Sequence, residues 1–223
     1  MAVINLSRFD PREDYQVSEA YKRLRTNLLL CGTDKKVILI TSTIPNEGKS
    51  TTAVNLAVSL AEIEKKVLFI DADLRKSVLA GRYELEGEVT GLSLYLAGQE
   101  KMEKIFNDTN IQGLDMILAG CIVPNPAEML ARDAFEQLVV WTREQYDYVI
   151  IDAPPITSVI DAAIIAPRCD GTVLVIAASS VSKKAASYVK QQMEKTGTPI
   201  LGAILNKTEE AVDKYYGKYY GKQ

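Results

Sequence analysis

A three-layer α/β fold, with a mostly parallel central sheet flanked by helices, is what this sequence predicts, and three observations carry the prediction. Short β-branched runs alternate with longer amphipathic stretches. Several of the short runs are apolar on both faces, which is the mark of parallel strands covered on both sides by crossover helices. The length of 223 residues and the 47% hydrophobic content suit one α/β domain with a substantial core.

Taken in order, residues 1–16 read as an extended arm. Val17 to Leu29 then carries a helical period with Ser18 as candidate cap, so a helix is expected over 17–30. Strands are expected at Lys36–Thr41, Lys66–Ile70, Leu114–Leu118, Tyr148–Ile151, Thr172–Ala177 and Pro199–Leu205. Helices fill the gaps near 49–63, 127–145, 159–166 and 182–195. The domain is expected to end near residue 212, leaving 213–223 as a flexible, tyrosine-rich tail. Four of the eleven tyrosines, Tyr215, Tyr216, Tyr219 and Tyr220, lie there in a YYGK period. Glycine every fourth residue opposes a helix and the lysines oppose burial, so the phenol hydroxyls should be reachable. On composition alone, a solvated low-complexity tail is the favoured explanation of them.

Composition narrows the function. A net charge of −3 gives no global basic field, so nucleic-acid binding has no support. Cys31, Cys121 and Cys169 are far apart and lack metal-site spacing, which fits a reducing compartment. Histidine is absent, so proton transfer falls to carboxylate, lysine, tyrosine or thiol. No apolar run approaches the roughly 20 residues of a membrane span, and the N-terminus lacks a secretory pattern. A cytoplasmic protein is expected.

The strand Val37–Ile40 runs into Thr41-Ser-Thr-Ile-Pro-Asn-Glu-Gly-Lys-Ser-Thr-Thr52, followed by a helical run. This nearly fits the phosphate-binding pattern G-x-x-x-x-G-K-[ST], with Thr43 in place of the first glycine. Gly48 lets backbone amides approach phosphates, Lys49 can reach the β- and γ-phosphates, and Ser50 can coordinate Mg²⁺ at the helix N-terminus. The nucleotide cradle is therefore Thr43, Ile44, Pro45, Asn46, Glu47, Gly48, Lys49, Ser50 and Thr51, within a three-layer P-loop fold. Two further strands end in carboxylates: Asp71 and Asp73 follow Val67–Ile70, and Asp152 follows Val149–Ile151. Aspartate after a strand often only caps a helix or forms a turn. Three of them after apolar strands would gather at the P-loop edge of a parallel sheet, where Mg²⁺ needs hard ligands.

The T-x-P-x-x-G-K-S-T loop, the D-x-D-x-R and I-I-D-A-P-P strand ends and the tyrosine cluster together resemble the cytoplasmic domain of bacterial tyrosine kinases. The likeness includes Ser18–Asn27, similar to that family's E-x-x-R-x-x-R oligomerisation helix, and Gly120–Glu128, similar to its P-N-P-x-E segment. Lys22 stands at the middle arginine, so a bidentate carboxylate contact would be lost there. The resemblance implies an ATP-dependent protein-tyrosine kinase, with ATP/ADP and Mg²⁺ bound, that regulates capsular or exopolysaccharide synthesis or export. It also implies a homo-oligomeric ring assembled through Glu19, Lys22, Arg23 and Arg25. Further implied partners are a separate transmembrane adaptor that recruits the kinase to the inner face of the membrane, a cognate tyrosine phosphatase and other protein substrates.

Under this reading Lys49 holds phosphate, and Ser50, Asp152 and Asp73 hold Mg²⁺. Asp71 orients or deprotonates the incoming phenol, while Arg75 either stabilises charge or holds a carboxylate. Asn206 either reads the base or forms a turn. The tail tyrosines become substrates, phosphorylated between subunits because a short linker restricts return to the chain's own site. Two alternatives are a nucleotide-switch ATPase of the division-site or partition type and a scaffold phosphorylated by another kinase. The switch proteins carry an early second lysine where this chain has Ile44, and this glycine-broken tail would not make their membrane-binding helix.

Overall fold

The computed structural model describes residues 3–6, 15–86, 89–178 and 180–208. Its strands are β1 (Val3–Asn5), β2 (Val37–Ser42), β3 (Val67–Asp71), β4 (Glu84–Glu86), β5 (Asn107–Thr109), β6 (Leu114–Ile117), β7 (Tyr148–Asp152), β8 (Gly171–Ala177) and β9 (Ile200–Asn206). Its helices are α1 (Tyr15–Leu30), α2 (Lys49–Ala61), α3 (Leu92–Leu96), α4 (Pro126–Leu130), α5 (Asp133–Gln145), α6 (Asp161–Ile165) and α7 (Lys183–Glu194). The strands pair side by side in the order β4-β1-β5-β6-β3-β7-β2-β8-β9.

From β6 through β3, β7, β2 and β8 to β9 every pairing is parallel, and β5 joins β6 antiparallel. Every residue of β2, β3 and β7 is buried, which explains their unbroken apolar runs: both faces of the sheet carry a hydrophobic cluster. On one face α2 is buried from Thr52 to Ala61, and Leu24, Leu28 and Leu29 of α1 join the same cluster. On the other, Phe135, Leu138 and Val139 of α5 pack with Ile165 of α6 and Val189 and Met193 of α7. Because β2, β3 and β7 are parallel, their carboxyl ends open on one edge. In the register Asp71 lies beside Asp152, and Ile40 beside Asp152 on its other flank.

Two expectations need correction. The segment 1–16 is not simply an arm, because Val3–Asn5 forms a strand paired parallel to β5 and antiparallel to β4. Ile4 and Leu6 alternate into the core at 0% and 2% exposure, and the Leu6 amide donates to Asn110 Oδ1 at 2.8 Å. The helix expected over 127–145 is two helices. Arg132 takes extended backbone angles (φ −69°, ψ 154°) and its guanidinium donates to Leu96 O at 3.0 Å, after which Asp133 and Glu136 open α5 with favourable charge. Among the described residues, no helix is long and apolar enough to cross a membrane.

Candidate active site

The loop between β2 and α2 is shaped from within. Asn46 and Gly48 have positive φ, 67° and 84°, and Gly48 caps α2. A side chain at Gly48 would be strained, and its Cβ would meet Asn206 Nδ2 at 2.2 Å. Glu47 is turned inward at 1% exposure: Oε2 accepts from the Ile44 amide at 2.8 Å and Oε1 from the Ala177 amide at 2.9 Å. Its carboxylate thus ties the loop to the end of β8, a structural task distinct from the phosphate contact expected of the loop. Asn206 Nδ2 donates to Glu47 O at 2.8 Å, and Lys207 Nζ donates to Asn46 O at 2.7 Å. The hydroxyl of Thr157 closes the other side by donating to Thr43 O. Pro45 and Asn46 are exposed at the tip.

Beneath the loop, Lys49 Nζ donates to Asp152 Oδ1 at 2.5 Å and to Ser50 Oγ at 3.2 Å. The two charged side chains are 8% and 1% exposed. Burial pushes the Asp152 carboxyl above its ordinary range, and the Lys49 ammonium opposes that shift. Asp71 sits beside it, accepting from the Ser77 hydroxyl and, through Oδ1, from the Asp73 amide at 3.1 Å. Burial first, and the neighbouring Asp152 second, raise the Asp71 pKa to about 7. Asp73 is half-buried and accepts the Arg75 and Lys76 amides at 3.3 and 3.0 Å.

The residues fit a magnesium ion. Asp152 Oδ2 is buried without a hydrogen-bond partner, and the Ser50 hydroxyl is a neighbour of the same ammonium. Among the described residues no three acidic or thiol side chains cage a metal by themselves. Mg²⁺ does not require that: one or two protein oxygens usually serve it beside water and substrate phosphates.

Lys49, Ser50, Asp71, Asp73 and Asp152 therefore share the carboxyl edge of the sheet. Arg75 is committed elsewhere. Its Nε and Nη2 donate to Asp161 Oδ2 and Oδ1, both at 2.8 Å, and Asp161 is fully buried at the start of α6. Of its two expected roles, this is the holding of a carboxylate. On α1, Lys22 pairs with Glu19 at 2.8 Å, but Arg25 turns into its own chain, donating to Ser59 O at 2.6 Å and reaching Glu62 at 3.4 Å. Arg25 was expected between subunits; its position against α2 makes it a strut within the domain. Arg23 is exposed. Tyr215, Tyr216, Tyr219 and Tyr220 lie outside the described residues.

Sequence reasoning did not single out Ser77, Thr157, Asp161, Arg82 or Lys207. Only Asp161 carried a signal, a lone charge in the run Val159-Ile-Asp-Ala-Ala-Ile-Ile165, where burial demands a partner.

Comparison with known proteins gives the family of the chain. The family described as AAA domain matches residues 35–201. The tyrosine-protein kinase CpsD of Streptococcus pneumoniae is 42% identical over 93% of each chain. Among solved structures, the kinase domain of the Escherichia coli tyrosine kinase ETK superposes with a TM-score of 0.81 at 36% identity, covering 87% of this chain and 77% of that one. The septum site-determining protein MinD of Pyrococcus horikoshii, complexed with Mg-ADP, is more distant, with a TM-score of 0.66 and 25% identity over 80% of this chain and 76% of its own. With its P-loop, its buried carboxylates and a tyrosine-protein kinase relative matched along 93% of its length, the chain belongs to the bacterial tyrosine-protein kinases.

Proposed function

We propose that this kinase transfers the γ-phosphoryl group of ATP to the tyrosines of its own tail, Tyr215, Tyr216, Tyr219 and Tyr220, and does so between subunits. The observation that carries the chemistry is the grouping of Lys49, Asp152 and Asp71, with Asp71 held near neutrality at about 7.

Phosphoryl transfer asks mainly for positioning and charge neutralisation. Backbone amides of the 43–49 loop hold the phosphates together with the N-terminus of α2, except for Pro45, which has no N–H, and Ile44, whose amide is held by Glu47. Lys49 exchanges Asp152 for phosphate oxygens, which frees Asp152 for the metal beside Ser50, with Asp73 as a further or water-mediated ligand. Mg²⁺, when bound, neutralises charge on the β- and γ-phosphates. Asp71 orients the phenol and takes its proton as the new bond from phenol oxygen to γ-phosphorus forms and the bond from γ-phosphorus to the bridging oxygen breaks. An ordinary carboxylate lies about six units below a phenol of pKa about 10, too wide a gap for easy transfer. Burial raises the Asp71 carboxyl, which narrows that gap, and proton transfer late in a loose transition state narrows it further. Asn206 supports the loop from below, with base contact as an additional role of the same residue.

The assembly and its regulation rest on the family resemblance. Glu19, Lys22 and Arg23 present the contact face of α1 to the next copy in a ring, and Arg25 braces that helix from behind. Tail phosphorylation adds about −1.5 to −2 charge per tyrosine and disfavours return to a site lined with carboxylates, loosening the ring. A transmembrane adaptor brings the kinase to the inner face of the membrane, a cognate phosphatase resets it, and capsular or exopolysaccharide synthesis or export is the process controlled.

Incubation with Mg-ATP followed by mass-spectrometric mapping tests the reaction. Phosphotyrosine at the tail that vanishes in Lys49→Met is expected. ATP hydrolysis without phosphotyrosine would point instead to a nucleotide switch, and phosphotyrosine that persists in Lys49→Met would mean that another kinase supplied it.

A further inference from the structure

After β3 the chain makes two turns and passes back across the start of α2 before entering β4. Leu79 and Tyr83 anchor this passage in the core at 1% and 8% exposure. The Arg82 and Tyr83 amides both donate to Leu79 O, at 2.9 and 3.2 Å, and the Leu79 amide donates to Ser77 Oγ at 3.2 Å. Ser77 in turn donates to Asp71. The backbone of Arg82 is thereby fixed relative to the catalytic carboxylates, with buried anchors on both sides.

From this position the exposed Arg82 side chain reaches the phosphate-binding loop: Nη1 donates to Thr51 Oγ1 at 3.2 Å. Thr51 lies in the first turn of α2, directly after Lys49 and Ser50. The contact with Thr51 uses one N–H of the guanidinium, whose planar fork carries further donors suited to an anion. Lys49 is already engaged with Asp152, and a nucleotide brings further negative charge to an edge that holds Asp71, Asp73 and Asp152.

We propose that Arg82 is a phosphate-contacting residue of the nucleotide site, spanning from the Thr51 hydroxyl to a non-bridging oxygen of the bound phosphate chain. Lys49 approaches that chain from the buried side and Arg82 from the solvent side. The guanidinium's planar fork matches phosphate, whereas a lysine there would supply charge without the paired geometry. The inference rests on the reading of the 43–51 loop as a nucleotide cradle.

Fluorescent ADP and ATP titrations in the presence of Mg²⁺, on wild type, Arg82→Ala and Arg82→Lys, test it at low and high salt. Loss of a charge-assisted hydrogen bond at a partly solvated site should weaken both nucleotides about tenfold in Arg82→Ala, with Arg82→Lys intermediate. The salt dependence of binding should shrink in Arg82→Ala. KM for ATP should rise with kcat at saturation unchanged within about twofold, since uniform binding is what is lost. The melting temperature of the nucleotide-free protein should not move. Unchanged affinity in Arg82→Ala would overturn the proposal, and so would affinity lost only together with the melting temperature. A wild-type protein that binds neither nucleotide would overturn the cradle reading itself, and this proposal with it.

Discussion

Lys49 and Asp152 form an ion pair of 2.5 Å in the protein interior, so the lysine that is to hold phosphate is neutralised before phosphate arrives. The pair sits where β7 ends beneath the first turn of α2. Removing one partner strands the other as a buried, unpaired charge, which costs about 3–5 kcal/mol in similar settings. Lys49→Met should therefore lower stability as well as abolish transfer. The double variant Lys49→Met with Asp152→Asn should recover most of that stability and none of the activity. Chemical denaturation beside the phosphotransfer assay checks both halves.

Asp71 makes the nucleotide-free protein pH-sensitive. The folded chain keeps the proton up to about pH 7, whereas an ordinary aspartate releases it near 3.8, so between those values the native state binds the extra proton. That stabilisation is fully present below the unfolded pKa and is lost as pH rises through 7. The raised Asp152 works in the same direction. Stability should fall by roughly 2–4 kcal/mol from Asp71 between about pH 4 and pH 7, and Asp71→Asn should flatten the slope. Urea denaturation across that range reads the difference.

Arg75 separates a supporting role from a catalytic one. Asp161 is fully buried and depends on the forked guanidinium, so Arg75→Ala should cost about 2–4 kcal/mol. Activity per folded molecule at saturating ATP should stay within about threefold of wild type, because the fork is used on Asp161. A drop of about a hundredfold or more in kcat with unchanged stability would return Arg75 to the reacting groups.

Gly48 and Asn206 are locked together at the loop. Gly48→Ala introduces a Cβ at φ 84° against the Asn206 amide, so nucleotide affinity should fall by at least about tenfold. Asn206→Ala removes the hydrogen bond to Glu47 O and should weaken nucleotide about three- to tenfold while leaving the fold intact. The double variant should show that the two losses are not additive, since the Cβ no longer meets an amide. Calorimetric titration with ADP in the presence of Mg²⁺ measures all three.

The layered α/β fold was legible because β2, β3 and β7 are buried on both faces, so each shows an unbroken apolar run that turns polar only at its ends. Their ends were read to within a residue. The short strands β1, β4 and β5 were not, because a run such as Val3–Asn5 has too few residues to display a period. The carboxylates at the strand ends were legible for the same reason as the strands, and Lys49 through the motif around it. Glu47 was read only as a loop position: a carboxylate two residues before Lys49 gives no sign in sequence that it turns inward to bind Ile44 and Ala177. Nor could the sequence show that Arg25 would meet Ser59, or that Arg75 would meet Asp161, since each pair is joined only by the packing of separate helices and loops.

Transfer between chains is the claim from which the tail's role and the ring both follow. Its most direct measurement mixes Lys49→Met that keeps the tail, expected to be inactive, with a chain truncated after Val212, which carries no tail. With Mg-ATP, phosphate should appear on Tyr215, Tyr216, Tyr219 or Tyr220 of the inactive chain. An unlabelled Lys49→Met chain, beside a wild-type protein that labels itself at the same rate per molecule at every concentration, would contradict the account.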